Sequence, residues 1–466
     1  MVRAKERGIR IVVDLVVNHT SNQHPWFQHA RRDPESRYRD FYVWSDTKPE
    51  GADDRVVFPG HQQSTWTWDD EANAFYHHRF YKHQPDLNIS SPAVREEILR
   101  IMGFWLELGV SGFRIDAAPF LVELHGDRGQ PSGDRLRYLT EMREFLSWRK
   151  GDAILLAEAN LSMDQLQHYF GDGDRMHMIF NFQVNQHLFL TLANGKATPV
   201  AEAMEATRTI PESSQWANFL RNHDELDIGR LPDQAKQMVF ETFAPEQDMR
   251  IYGRGIRRRL APMLNNDAQQ LALAHSLLFT LPGTPVLRYG QEIGMGDDLS
   301  LDERMAVRTP MQWSDSPNGG FSMADPDDLI RPVINEGEWG YEQVNVAAQR
   351  RDPDSLLNRI ERMIRVRKDS PEFGHGDWRL LPVESEEVLA HVATWQGGSV
   401  VAVHNLSDEP KSIELDLRDL EASTLEDLLD RNGKTIKGDS SRIDLDPYGY
   451  RWLRVKPAET RESRTK

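Results

Sequence analysis

Four apolar runs that each deliver acids or imidazoles at their carboxyl ends constrain this chain more than any other feature. Ile9 to Val17 is a β-branched run that encloses Asp14 and leads to Asn18-His19. Gly112-Phe113-Arg114-Ile115-Asp116-Ala117 ends in an arginine and a carboxylate two positions apart, Ala153 to Glu158 closes on a glutamate, and Asn218 to Asp224 closes on His223 and Asp224. Apolar strands tipped with polar groups and separated by helical patterns predict an α/β fold of the TIM-type (β/α)8 barrel class, with the site at the carboxyl ends of the strands.

The Gly112–Ala117 stretch carries the most chemistry. Successive side chains of a strand point to opposite faces, so Arg114 and Asp116 share one face while Phe113 and Ile115 share the other. A guanidinium beside a carboxylate favours its ionised form, and an ionised aspartate can attack. Taken alone, the segment fits a structural ion pair at a strand end equally well. The other acid-tipped runs argue for a site.

The same pattern sets the organisation. Helices are expected at about 92–108, 135–148, 163–170, 200–207, 267–279 and 354–368, with strands near Ile154, Met178, Asn218 and Pro285 to Tyr289. That gives six strand-helix units where a closed barrel needs eight, so two units are expected before Met1. The catalytic barrel is expected over 1–372. A long segment at about 20–86, rich in His, Trp, Tyr, Asp and Pro, breaks the periodicity and predicts an inserted subdomain after the third strand of the full barrel. Its rings, among them Trp26, Trp44, Trp66, Trp68 and Tyr76, suit sugar faces, although most are expected to form the subdomain's own core. Short β-rich runs over 373–456 predict an antiparallel β-sandwich, and 457–466 reads as a loose tail.

Composition narrows the partners. A chain of 466 residues with a formal charge of −17 would repel nucleic acid and anionic membranes. No apolar run reaches the length of a membrane span and no signal peptide is readable, which predicts a cytoplasmic protein. The absence of cysteine excludes disulfides, thiolate catalysis and cysteine-bound metal. Oligomeric state is not legible.

Five segments, in order, resemble the signature regions of the α-amylase family of glycoside hydrolases. They are Asp14 to His19 (DLVVNH), Gln84 to Asn88 (QPDLN), Gly112 to Ala117 (GFRIDA), the strand ending at Glu158, and Arg221 to Glu225 (RNHDE). Within the family the chain looks most like the trehalose synthase, or maltose α-D-glucosyltransferase, branch. The segments Asn18 to Phe27, Tyr42 to Asp46, Gly255 to Pro262, Gly290 to Gly296 and Val307 to Trp313 carry that likeness. The resemblance implies that Asp116 is the nucleophile, Glu158 the general acid and base, and Asp224 the carboxylate that holds sugar hydroxyls. It implies that Arg114 keeps Asp116 ionised and that His19 and His223 donate to the same glucose. Asp14, Asp86 and Arg308 complete the expected substrate-binding set. The implied reaction is the retaining one, in which two carboxyls about 5–5.5 Å apart attack and protonate, with Glu158 the less solvated and its pKa raised toward about 6.

The implied partners are small α-glucosides, maltose and trehalose. No cofactor is required, and the loop that would hold a structural calcium ion is expected before Met1. Arg288 and Gln291 depart from the family pattern at the subsite for the leaving sugar. Two other functions stay open at this point: an α-1,4-glucosidase or amylase-type hydrolase, and a shortened glycan-binding protein without catalysis. The run Arg257-Arg258-Arg259 is expected on a solvated or ion-paired helix surface.

Overall fold

The computed structural model describes residues 1–54, 56–121, 133–420, 422–430, 435–437 and 442–457. Six strands, labelled β1 to β6, lie side by side in chain order: Val12–Leu15, Gly112–Ile115, Ile154–Ala157, Met178–Phe180, Gln215–Phe219 and Thr284–Val286. β1 to β4 are parallel, as are β5 and β6. The six strands are those expected from the apolar runs near Asp14, Gly112, Ile154, Met178, Asn218 and Pro285.

The chain forms two compact units, Met1–Phe182 with Thr209–Trp216, and Gln183–Arg208 with Ala217–Lys466. β5 begins in the first at Gln215-Trp216 and finishes in the second, where it pairs with β6.

In the first unit the core lies between the strands and two helices. Phe113, Ile115, Leu155 and Ile179 are fully buried. Val94, Ile98 and Met102 recur every four residues along the helix Pro92–Glu107, which gives it one apolar stripe. Leu139, Met142 and Leu146, three and then four residues apart, form a buried stripe on the helix Gly133–Arg149. Each such side chain contributes about 1.5–3 kcal/mol when fully buried. β1 stands at one end of the strand order, and its flanking Val12 and Val16 stay 38% and 48% exposed. Gly112 opens β2 at φ +156°, where a Cβ would lie 2.4 Å from the Ile154 carbonyl oxygen. Only glycine allows β2 and β3 to start this close together.

The segment between β1 and the helix Pro92–Glu107 carries the helix Pro25–Arg32 and an antiparallel sheet in the order Trp44–Ser45, Ala74–His77, Trp66–Asp69. Phe27 is its centre, stacked on Trp44 at 5.6 Å with Tyr42 and Tyr76 edge-on at 5.0 and 5.1 Å. Trp26 packs on Phe41 and Tyr38. These rings form core, as expected for most of them.

The second unit ends in a six-stranded antiparallel sheet in the order Asp377–Leu380, Val388–Trp395, Gly398–Asn405, Tyr450–Pro457, Ala422–Asp427, Thr435–Lys437. Strand alternation gives this sheet two buried faces. Val401, Val403 and Leu453 pack toward Ile413, Ile443 and Leu445, where Lys411–Glu414 and Arg442–Leu445 form a second, two-stranded sheet. Val400, Ala402 and Trp452 point the other way, toward Ala272 and Phe279 of the helix Ala268–Thr280 and toward Ile360 and Met363 of the helix Leu356–Lys368. Trp452 Nε1 donates to Ser276 Oγ at 2.9 Å, and the same hydroxyl lies 2.9 Å from His404 Nε2. From residue 458 onward the expected tail lies outside the described residues.

The arginine triplet is not helix surface. It precedes the short helix Leu260–Met263 and is turned inward, with Arg259 only 4% exposed. Arg257 donates to the carbonyls of Leu299 and Leu301, Arg258 pairs with Asp297 at 3.4 Å, and Arg259 donates to the Tyr289 carbonyl at 3.1 Å. The triplet therefore fastens the irregular segment around 289–301. Backbone carbonyls with no partner of their own draw the guanidinium groups inside.

Candidate functional site

Each unit carries a cluster of the expected polar side chains. In the first unit the parallel register sets Asp14 on β1 opposite Arg114 on β2. The Asp116 and Glu158 amides continue the ladder by donating to the Leu15 and Ile115 carbonyls at 3.4 and 3.1 Å. Ala117 follows at φ +49°, a left-handed conformation rare for a residue with a Cβ. The chain thus turns sharply just past Asp116.

Arg114 is the hub. Its Nη1 donates to Asp14 Oδ1 at 2.9 Å and to Asp116 Oδ1 at 3.2 Å, while Nη2 contacts Glu158 Oε2. Burial works against the charge of this guanidinium, but Glu158, Asp14 and Asp116 together outweigh it and raise its pKa further. The side chains of Glu158 and Asp116 are 19% and 24% exposed, against 58% for Asp14. Glu158 is therefore the less solvated of the two central acids. One cation thus contacts both. Arg114 alone does not mark one acid as nucleophile and the other as proton donor. Three carboxylates facing one guanidinium leave an excess of negative charge, which suits a developing positive centre such as an oxocarbenium-like sugar.

His19 and Asp86 adjoin the subdomain. Asn18 Nδ2 donates to Asp86 Oδ1 at 3.1 Å, the Arg79 amide donates to the same oxygen at 2.9 Å, and His77 Nδ1 lies 3.2 Å from Asp86 Oδ2. At 2% exposure, Asp86 anchors the turn that carries His19. His19 lies with Nε2 2.9 Å from Gln84 Nε2 and its ring edge-on to Phe80. Burial lowers its pKa against the opposing pull of Asp86 and Asp116, so the neutral imidazole is favoured.

In the second unit Asp224 is the hub. Arg304 Nη1 donates to Asp224 Oδ1 at 2.8 Å, Arg308 Nη2 contacts the same oxygen, and His223 Nε2 lies 3.5 Å from Oδ2. Arg308 Nε also donates to the His223 carbonyl at 2.7 Å. Burial would raise the Asp224 pKa, but Arg304, His223 and Arg308 outweigh it and hold it below the ordinary carboxylate range. The adjacent Glu225 goes the other way, raised by burial and then by the Asp224 charge. Arg221, wholly buried, braces the turn by donating to the Asp224 and Arg258 carbonyls at 2.8 Å each. Asn185 Nδ2 donates to the Phe219 and Leu220 carbonyls at 2.8 and 2.9 Å and fixes the end of β5.

Sequence reading missed Arg304. The available signal was its spacing, because Arg304 and Arg308 are four apart across the 3-10 turn Glu303–Val307. The two departures from the family pattern have structural roles. Gln291 is buried against His275, Nε2 to Nε2 at 3.1 Å, and Arg288 donates to the Val307 carbonyl at 3.0 Å while lying over the Tyr289 ring. Among the described residues, no three His, Asp or Glu side chains are grouped to hold a metal ion, and no helix is long and apolar enough to cross a membrane.

Comparison with known proteins adds the ancestry of these clusters. Residues 1–244 and 256–376 match the family "Alpha amylase, catalytic domain", and 397–454 match "Sucrose hydrolase-like, C-terminal domain". The chain is 41% identical to the trehalose synthase of Pimelobacter sp. (strain R48) over 98% of its own length and 82% of that protein. It is 43% identical to the trehalose synthase/amylase TreS of Mycobacterium tuberculosis over 89% of its length and 70% of that protein. Among solved structures, the α-amylase from H. orenii superposes with a TM-score of 0.74 at 24% identity, covering 97% of this chain and 82% of that one. Trehalulose synthase MutB from Pseudomonas mesoacidophila MX-45 gives 0.73 at 24% identity, covering 98% and 85%. Both are likenesses of fold.

Proposed function

Because the chain belongs to the α-amylase family, we propose that it interconverts maltose and trehalose through a covalent glucosyl intermediate on Asp116. The observation that carries this reading is the Arg114 hub, which sets Asp14, Asp116 and Glu158 around one guanidinium. Identity of 41–43% to trehalose synthases supports the choice of substrates.

In the first step a carboxylate oxygen of Asp116 attacks the anomeric carbon of the non-reducing glucose. The bond from that carbon to the glycosidic oxygen breaks, and the Glu158 proton passes to the departing oxygen. The family resemblance assigns Asp224, which Arg304 and Arg308 hold ionised, and His223 to hydrogen bonding with sugar hydroxyls. In the second step Glu158 removes a proton from the anomeric hydroxyl of the released glucose, whose oxygen attacks the glucosyl carbon and frees Asp116. The α-1,4 link has then become an α,α-1,1 link. Water in place of that hydroxyl gives glucose, so the yield of transfer depends on how long the released sugar is kept and water excluded.

Incubating the chain with maltose and with trehalose separately, and quantifying products over time, tests the reading. Trehalose should form from maltose faster than glucose does, and maltose from trehalose. Glucose as the sole product from both would reassign the chain to hydrolysis.

A further inference from the structure

The second unit contains a cleft of about 440 Å³ that none of this chemistry uses. One side is built from two helices: Gln269 and Ala272 are three apart on Ala268–Thr280, and Arg359, Arg362 and Met363 lie on Leu356–Lys368, with Asp354 just before it. The other side comes from the C-terminal sheet, where Asp427, Leu429 and Asp430 leave one strand and Asp446 to Arg451 form the turn into another. The cleft thus joins elements matched to the catalytic family with elements matched to the C-terminal one. Small-molecule sites favour such junctions and measure roughly 300–1,000 Å³.

The lining points to a class of ligand. Three guanidinium groups, on Arg359, Arg362 and Arg451, are interleaved with carboxylates of Asp354, Asp427, Asp430 and Asp446. An anion would meet the acids and a cation the arginines. Sugar hydroxyls satisfy both at once, donating to carboxylates and accepting from guanidinium groups. Tyr448 adds an amphipathic face on which a sugar ring can pack, while the neighbouring Tyr450 ring is stacked on His404. Asp427 is 5% exposed and held in place by the Leu429 amide at 3.0 Å and by Arg451 at 3.5 Å.

Tyr448 is also strained. The turn Asp446–Gly449 is closed by the Gly449 amide on the Asp446 carbonyl at 2.8 Å and puts Tyr448 at φ +52°. Glycine or asparagine is the usual occupant of that position, because a Cβ there crowds the backbone. The ring packs in part on the core beneath it and also lines the cleft, so the strained turn holds it at the cleft wall.

We propose that this cleft is a second, non-catalytic site for a neutral polyhydroxylated ligand, a short stretch of α-glucan, with Tyr448 as its stacking platform. The choice of a glucose polymer over other polyols rests on the reading of the catalytic reaction above.

Native electrophoresis of the full chain through gels with and without glycogen tests it. The parent chain and Asp116→Asn should be slowed alike by glycogen, and maltoheptaose should relieve the slowing. Tyr448→Gly removes the ring while relieving the backbone strain, so it should keep its turnover of maltose and lose at least about threefold in apparent glycogen affinity. Arg362→Ala provides a second probe that leaves the turn untouched and should weaken retention in the same way. Full retention of both variants, loss of retention in Asp116→Asn, or a parent chain that glycogen does not slow would each overturn the proposal. Retention that depends on Tyr448 in a chain yielding no trehalose would leave the site standing and remove the transfer reading.

Discussion

Arg304 donates to Asp224 across 80 residues of sequence, Nη1 to Oδ1 at 2.8 Å. Burial alone would raise the Asp224 carboxyl; Arg304, His223 and Arg308 lower it instead, so its charge persists to more acidic pH than usual. Removing Arg304 takes away one of those opposing charges. Arg304→Ala should therefore shift the acidic limb of the kcat/KM profile toward neutral pH. The loss above that limb should be about 1.5–3 kcal/mol, or roughly 10- to 100-fold, because Arg308 remains on the carboxylate. An unmoved limb would show that the charge of Asp224 is not required.

Asp116→Asn keeps the shape of the side chain and an oxygen for Arg114 but removes the attacking carboxylate. Turnover of maltose should fall by at least about a thousandfold. Circular dichroism and melting temperature should stay near the parent's, since Asp14 and Glu158 still hold Arg114. Substantial residual turnover would move the nucleophile elsewhere.

Gly112→Ala tests the close start of β2 and β3. The added methyl would meet the Ile154 carbonyl oxygen at 2.4 Å, with φ at +156°. Overpacking of this kind costs about 1–3 kcal/mol, and the backbone conformation adds strain. A clear drop in urea midpoint is expected, and activity should fall with it because Arg114 and Asp116 leave the same strand.

His404 and His391 set an acid limit on the second unit. Burial brings their pKa values down to about 3 and about 4, from an ordinary 6.5, and the like charge of His391 adds to the lowering at His404. The unfolded chain takes up protons first as pH falls below 6.5. The stability from burying these rings neutral is therefore complete above 6.5 and is lost progressively toward 4 and below. His404→Gln should flatten the dependence of unfolding free energy on pH between 4.5 and 6.5 by about one proton. An unchanged slope would mean that other groups set the limit.

What the sequence made legible follows from the range of the forces involved. The acid-tipped strands are local patterns, and so are the helices Met163–Phe170 and Ala268–Thr280, the latter capped by Asp267 on the Gln269 and Gln270 amides. The helix Phe182–Asn194 shows no clean period because polar residues such as Asn185, Gln186 and Thr191 are buried among its apolar ones. The helix Asp233–Phe243 was also not anticipated. The arginine triplet was misread because its partners, the carbonyls of Tyr289, Leu299 and Leu301, lie 30 to 44 residues away. The contacts that bury Asp86 come from Asn18, Arg79 and His77, and Asn18 lies 68 residues away, so no local window contains the grouping.

The sheet that contains Val400 and Val401 is lined on both sides, by helices on one and by a small sheet on the other. It is therefore an inner layer, and the C-terminal module is no detachable accessory. Cutting the chain after the residues that match the catalytic family would bare the walls around Ala272, Phe279, Ile360 and Met363 to water. Exchanging the module between relatives would succeed only if the donor brought side chains that interdigitate with those four. Evolution of this terminus is then tied to the helices beneath it, and an insertion there would have to be matched by repacking on the far side.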